Sequence, residues 1–190
     1  DWSSDVCSSD LAFGPVRGQQ QHAGLSLPAG TTPFGQPVAE PGQGDFRILC
    51  FFGEGGDDFI WGDEGSETLN GGEGNDALKG GSGNDALYGA EGNDVLYASA
   101  GYDQLYGGVG DDVFRLGASA NNTHIMDFNQ ANGDHDRLLF AHTVFGSTAA
   151  LGAAAHQVVN DVVIAQGNFH LTVHDALLQE VLHSSAIIVG

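Results

Sequence analysis

A period of nine governs the chain between residues 53 and 115. Seven units lie end to end without insertion: GEGGDDFIW, GDEGSETLN, GGEGNDALK, GGSGNDALY, GAEGNDVLY, ASAGYDQLY and GGVGDDVFR. The first place is Gly in six units and Ala98 in one, and the fourth is always Gly. The sixth is always acidic: Asp58, Glu67, Asp76, Asp85, Asp94, Asp103 and Asp112. The eighth is always large and apolar: Ile60, Leu69, Leu78, Leu87, Leu96, Leu105 and Phe114. A unit this short cannot bury its apolar residue alone, so a tandem array of them implies stacking.

No helix accommodates this pattern. Apolar side chains nine residues apart drift around a helical surface, and each internal Gly costs about 1 kcal/mol there. A six-residue turn and a three-residue strand, made twice, instead close one flat coil. Coils then stack as parallel strands about 4.8 Å apart. Seven units give three and a half coils, with unit n+2 directly above unit n. The fold class expected is all-β: a parallel β-roll over residues 45–115, followed by a β-rich module over 116–190. A glycine-rich acidic linker fits poorly, because a linker needs no apolar residue at every ninth place.

Stacking brings carboxylates together in the pairs Asp58–Asp76, Glu67–Asp85, Asp76–Asp94, Asp85–Asp103 and Asp94–Asp112. Left alone they would repel, and inward turn carbonyls would lack partners. A hard divalent cation removes both costs. Calcium takes six to eight oxygens and mixes carboxylate with carbonyl in flexible geometry, whereas magnesium demands a tight octahedron.

These units resemble the calcium-binding nonapeptide repeats of RTX proteins, the toxins and hydrolases exported by bacterial type I secretion. Units three to five match closely and unit seven well. Unit one lacks Gly at its second place, unit two carries Glu67 for Asp, and unit six has Ala98 and Ser99 for the glycine pair. The resemblance implies calcium ligands at the seven sixth-place carboxylates, with turn backbone from Gly53, Gly71, Gly72, Gly74, Gly80, Gly81, Gly83, Gly89, Gly92, Gly107 and Gly110. It also implies a parallel RTX solenoid and an extracellular location.

Charge narrows the partners. The formal net charge is −20, with 25 acidic residues against 5 basic. Within 53–115 only Lys79 and Arg115 are basic. Nucleic acid and anionic membranes are therefore not the partners expected. No stretch is long and apolar enough to span a bilayer. No basic start followed by an apolar run marks a cleaved N-terminal signal; type I export reads a C-terminal one instead. The expected partners are calcium ions and the type I secretion apparatus, with the chain acting as a monomer.

Residues 1–11, DWSSDVCSSDL, can be back-translated to a string that resembles, codon for codon, a common short-read sequencing adapter. They are read as an assembly artefact and set aside with Trp2 and Cys7. Residues 12–44 hold all five prolines and no apolar period, so 1–44 is expected to be a disordered linker. Residues 45–52, DFRILCFF, read as a strand covering the first coil, since solenoid ends need caps. Cys50 is then expected to be a buried thiol without a disulfide. At the ninth places, Tyr88 and Tyr106 fall two units apart and should stack across strands.

Beyond residue 115, HIMDF, DRLLF, DVVIA, FHLTVH and SAIIV read as strands. TAALGAAAHQVV leans towards helix, and DALLQEVLHS reads as a short helix with Asp175 as N-cap. The element DF…GDxDRLxF and the strand order resemble the C-terminal module of serralysin-like secreted proteases, which caps the roll and carries the export signal. The acidic residue usual before the last apolar run is replaced here by Ser184–Ser185.

Catalytic signatures point nowhere. H-E-x-x-H and G-x-S-x-G are both absent from the sequence. His170 and His174 lie four apart on a strand beside Asp175, but a transition-metal site needs further convergent ligands. The function expected is a calcium-binding module that folds outside the cell after type I secretion, without catalysis of its own. Two other readings are the tail of a secreted hydrolase whose catalytic domain lies upstream, and a surface adhesin built of such repeats.

Overall fold

The computed structural model describes residues 21–22, 48–62, 64–128, 134–182 and 186–189. Among them, thirteen strands join one sheet that winds as a solenoid with two faces. One face stacks β1 (Gln21–His22), β3 (Phe59–Trp61), β5 (Ala77–Lys79), the start of β7 (Val95–Val109), the start of β8 (Val113–Ile125), β9 (Arg137–Ala141) and β13 (Ala186–Val189). The other stacks β2 (Ile48–Phe52), β4 (Ser66–Glu73), β6 (Ala86–Glu91), the end of β7, the end of β8 and β12 (Phe169–Val173). Every one of these pairings is parallel. Only β10 (Ala155–Val158), β11 (Asp161–Gln166) and β12 pair antiparallel.

The eighth-place side chains set this register. Ile60, Leu78, Leu96, Phe114 and Leu138 align on one face. Phe51, Leu69, Leu87, Leu105, Ile125 and Val173 align on the other. All but Phe51 are at most 2 % exposed. Burying one such side chain is worth about 1.5–3 kcal/mol. A column of them offsets the entropy of ordering so much glycine. Because β2 aligns Phe51 with Leu69, it serves as an extra rung that covers the first coil.

The coil does not stop with the repeats. Asp136 stands above Asp112 at a spacing of 24 residues, where inner pairs are 18 apart. Beyond it the chain adds a small core of its own, in which Phe140, Phe145 and Phe169 meet edge to face at 5.4–6.0 Å. That core is continuous with the roll's.

Several expectations need correction. TAALGAAAHQVV divides: Ser147 caps a helix, α1 (Thr148–Ala154), by accepting the Ala150 N–H, and the chain then extends into β10. Asp175 is not the cap of the last helix, α2 (Leu178–Glu180). It has φ of 50°, a left-handed conformation, and its N–H donates to Asp161 Oδ1. Instead Glu180 reaches back to accept the Leu177 N–H. Cys50 is disulfide-bonded, not the free thiol expected, and it is only partly buried. The expected linker over 1–44 lies outside the described residues apart from Gln21–His22, which pair with Ile60–Trp61.

Candidate metal centre

The sixth-place carboxylates form two ladders, one along each edge of the roll. On one edge, Oδ1 of Asp76 accepts the Asp58 N–H at 2.7 Å, Asp94 accepts that of Asp76 at 2.7 Å, and Asp112 accepts that of Asp94 at 2.8 Å. Asp136 extends this edge by accepting the Asp112 N–H at 3.1 Å. On the other edge, Asp85 accepts from Glu67 at 3.0 Å and Asp103 from Asp85 at 3.3 Å. Asp76, Asp85, Asp94, Asp103, Asp112 and Asp136 thus each use one oxygen to satisfy the backbone of the coil below. Glu67, Asp76, Asp85, Asp94, Asp103 and Asp112 are all buried, and Asp58 is half-buried.

The second oxygen is the informative one. Oδ2 of Asp58, Asp76, Asp85, Asp94 and Asp112 is buried without a hydrogen-bond partner. A buried carboxylate oxygen left so costs several kcal/mol unless a charge meets it, on the order of the penalty for an unpaired polar group or more. Burial pushes the acids of Asp58, Asp76, Asp85 and Asp103 above the usual carboxylate range. Burial likewise raises Asp94 to about 6 and Asp112 to about 7, with Asp136 and Asp94 adding repulsion at Asp112. Among the described residues no three His, Cys, Asp or Glu side chains converge, so any ion held here takes backbone oxygens as well.

Glycines shape the space beside each oxygen. A Cβ added to Gly71, Gly80, Gly89 or Gly107 would overlap Oδ2 of the carboxylate in its own unit. One added to Gly53 or Gly89 would also meet the carbonyl of Gly71 or Gly107 in the coil above. Gly72, Gly74, Gly81, Gly83, Gly92 and Gly110 hold positive φ of 106–136°. At Gly74, Gly83, Gly92 and Gly110 a Cβ would strike the carbonyl of the fourth-place glycine one coil below. So one edge gathers Asp58, Asp76, Asp94 and Asp112 with the turns of Gly53, Gly71, Gly89 and Gly107. The other gathers Glu67, Asp85 and Asp103 with the turn of Gly80. Carboxylate and carbonyl oxygens in narrow, glycine-lined turns suit calcium and suit no softer metal.

Asp103 differs from the rest. Its Oδ2 accepts the Ser99 N–H at 3.1 Å, so both of its oxygens are engaged.

Other roles have no counterpart in the period-nine reading. Fifth-place side chains make an outer ladder of opposite sense: Asp57 accepts the Asn75 N–H at 2.8 Å, Asn75 that of Asn93 at 2.9 Å, and Asn93 that of Asp111 at 2.7 Å. Asp111 then accepts from His135. Asp127 accepts the amides of Gly107 and Gly108 at 2.9 and 3.0 Å, where a further repeat unit would lie. The only sequence signal for Asp136 is the D-R-L that echoes D-A-L in the repeats.

At the ninth places Tyr88 and Tyr106 stack at 4.6 Å, as expected. The opposite face alternates aromatic and cation, with Lys79 over Trp61 at 4.5 Å and Arg115 over Tyr97 at 5.3 Å. His174 does not pair with His170 or Asp175. Its Nε2 lies 2.9 Å from His124 Nδ1, and its Nδ1 lies 3.3 Å from Asp161.

The family model of the RTX calcium-binding nonapeptide repeat (4 copies) matches residues 51–78, 61–96 and 88–122. Among curated proteins, none matches. Among solved structures, the chain is similar to the extracellular lipase LipA from Serratia marcescens, with 16% identity and a TM-score of 0.38 over 76% of this chain; it spans 41% of the lipase chain. It is also similar to the AlgE6R3 subunit of the Azotobacter vinelandii mannuronan C5-epimerase, with 23% identity and a TM-score of 0.35, covering 80% of this chain and 86% of that one.

Proposed function

We propose that the chain is a calcium-gated folding module, unfolded where calcium is scarce and folded where it is plentiful, a reading supported by the match of residues 51–122 to the RTX calcium-binding nonapeptide repeat. The observation that carries this reading is the row of buried, unpartnered Oδ2 atoms at Asp58, Asp76, Asp85, Asp94 and Asp112. They would be held with glycine backbone oxygens against calcium, and each such contact ties one coil to the next. Calcium supplies the positive charge these oxygens lack. Binding free energy then becomes folding free energy.

Extracellular calcium modules bind at about 0.1–1 mM, far above cytosolic free calcium. Such a threshold fits passage through a type I exporter as an unfolded chain, with folding outside the cell. In this reading residues 45–115 are the calcium switch and 116–190 cap the roll and present the export signal, with no reaction of their own.

A circular dichroism titration tests it. Strand signal should appear cooperatively as calcium rises through about 0.1–1 mM and vanish with chelator. Equal strand content in calcium and in chelator would defeat the proposal.

A further inference from the structure

The sixth unit departs from its neighbours in backbone as well as in sequence. At the second place of the turn, Glu54, Gly72, Gly81, Ala90 and Gly108 all hold positive φ, between 72° and 109°. Ser99, at the same place in unit six, does not. Its N–H turns inward and donates to Asp103 Oδ2. The first place of the turn is glycine in units three, four, five and seven, and a Cβ there would overlap the carboxylate oxygen. In unit six that Cβ is real: it is Ala98, buried at 7 % exposure. The strand register also slips between Ala98 and Asp103.

The consequence shows at the oxygen itself. Oδ2 lacks a partner in Asp76, Asp85, Asp94 and Asp112, and has one in Asp103. The coil above Asp103 offers Thr123 at the aligned position in place of an acid. We infer that Ala98 and Ser99 close the sixth turn to calcium: the Ala98 methyl fills the cradle, and the Ser99 amide takes the position that the ion takes at the other carboxylates. Asp103 is then a ladder carboxylate that supports the Asp85 backbone and ligates nothing. The roll is asymmetric as a result. One edge carries ion-accepting carboxylates through every coil, and the other ends in a turn that the protein completes for itself.

This rests on the calcium reading above, and the test separates the two. Calcium bound per chain would be counted by equilibrium dialysis on the full chain at saturating calcium. Ala98→Gly with Ser99→Gly restores the glycine pair and lets residue 99 reach positive φ, turning its N–H away. The expected count is one more ion than the wild type, lost again when Asp103→Asn is added. Asp103→Asn in the wild-type background should leave the count unchanged, and Asp94→Asn should lower it. A wild type that binds no calcium overturns the function and this inference with it. A wild type that binds, beside a glycine-pair variant with the same count, overturns the inference alone. So does loss of an ion in the single Asp103→Asn variant.

Discussion

Asp94 and Asp112 set the pH behaviour. Both acids are raised, to about 6 and about 7, chiefly by burial. A carboxyl raised on folding holds more protons folded than unfolded between its ordinary value and the raised one. Its contribution to the metal-free fold is therefore complete below the ordinary range and lost as pH climbs through 6 and 7. Calcium reverses the sign, since its ligands must ionise and release protons. In chelator, the strand signal lost at pH 8 should return in part at pH 5, read by circular dichroism. In calcium titrations the midpoint should lie at lower concentration at pH 8 than at pH 6. Either order inverted would contradict the ladder as an ion site. Ala90 offers a simpler check. It holds φ of 85°, which an L side chain tolerates poorly. Ala90→Gly should stabilise the calcium-loaded chain by about 0.5–1 kcal/mol, the strain relieved less the entropy glycine adds to the unfolded state. A lowered urea midpoint would contradict this.

The repeat strands and their stacking were legible because one residue in nine has to face inward. Leu87 is fully buried between Leu69 and Leu105, and no other placement of the period achieves that. Leu87→Ala should cost about 2–5 kcal/mol, against about 0.5–1.5 kcal/mol for removing the outer Tyr88–Tyr106 stack with Tyr88→Ala. Comparable losses by urea unfolding in calcium would count against a single-file core. The carboxylate ladder was also readable, as a spacing of two units. The fifth-place ladder was not. The Asn75 and Asn93 side chains accept the backbone N–H of Asn93 and Asp111, 18 residues away, and nothing local in an Asn announces that partner. Asp136 was hidden because six extra residues break the period just before it. In TAALGAAAHQVV the composition favours helix throughout, but pairing with β11 draws Ala155–Val158 into a strand. Asp175 looked like a cap by type, whereas its left-handed backbone excludes it.

At the scale of the whole molecule, roll and C-terminal module share one sheet and one apolar core, through β9 on β8 and β12 on β8. Chelation should accordingly loosen both parts together, read as simultaneous loss of hydrogen-exchange protection in Leu87 and Leu171. The register that joins them advances by 18 residues per coil along the repeats. Nothing in that geometry fixes how many coils there are. Excising residues 80–97 would leave every surviving side chain on its original flank, whereas excising 80–88 alone would transpose everything downstream to the opposite flank. Such a chain can grow or shrink by duplication and loss only in paired steps if its two flanks are to keep separate duties.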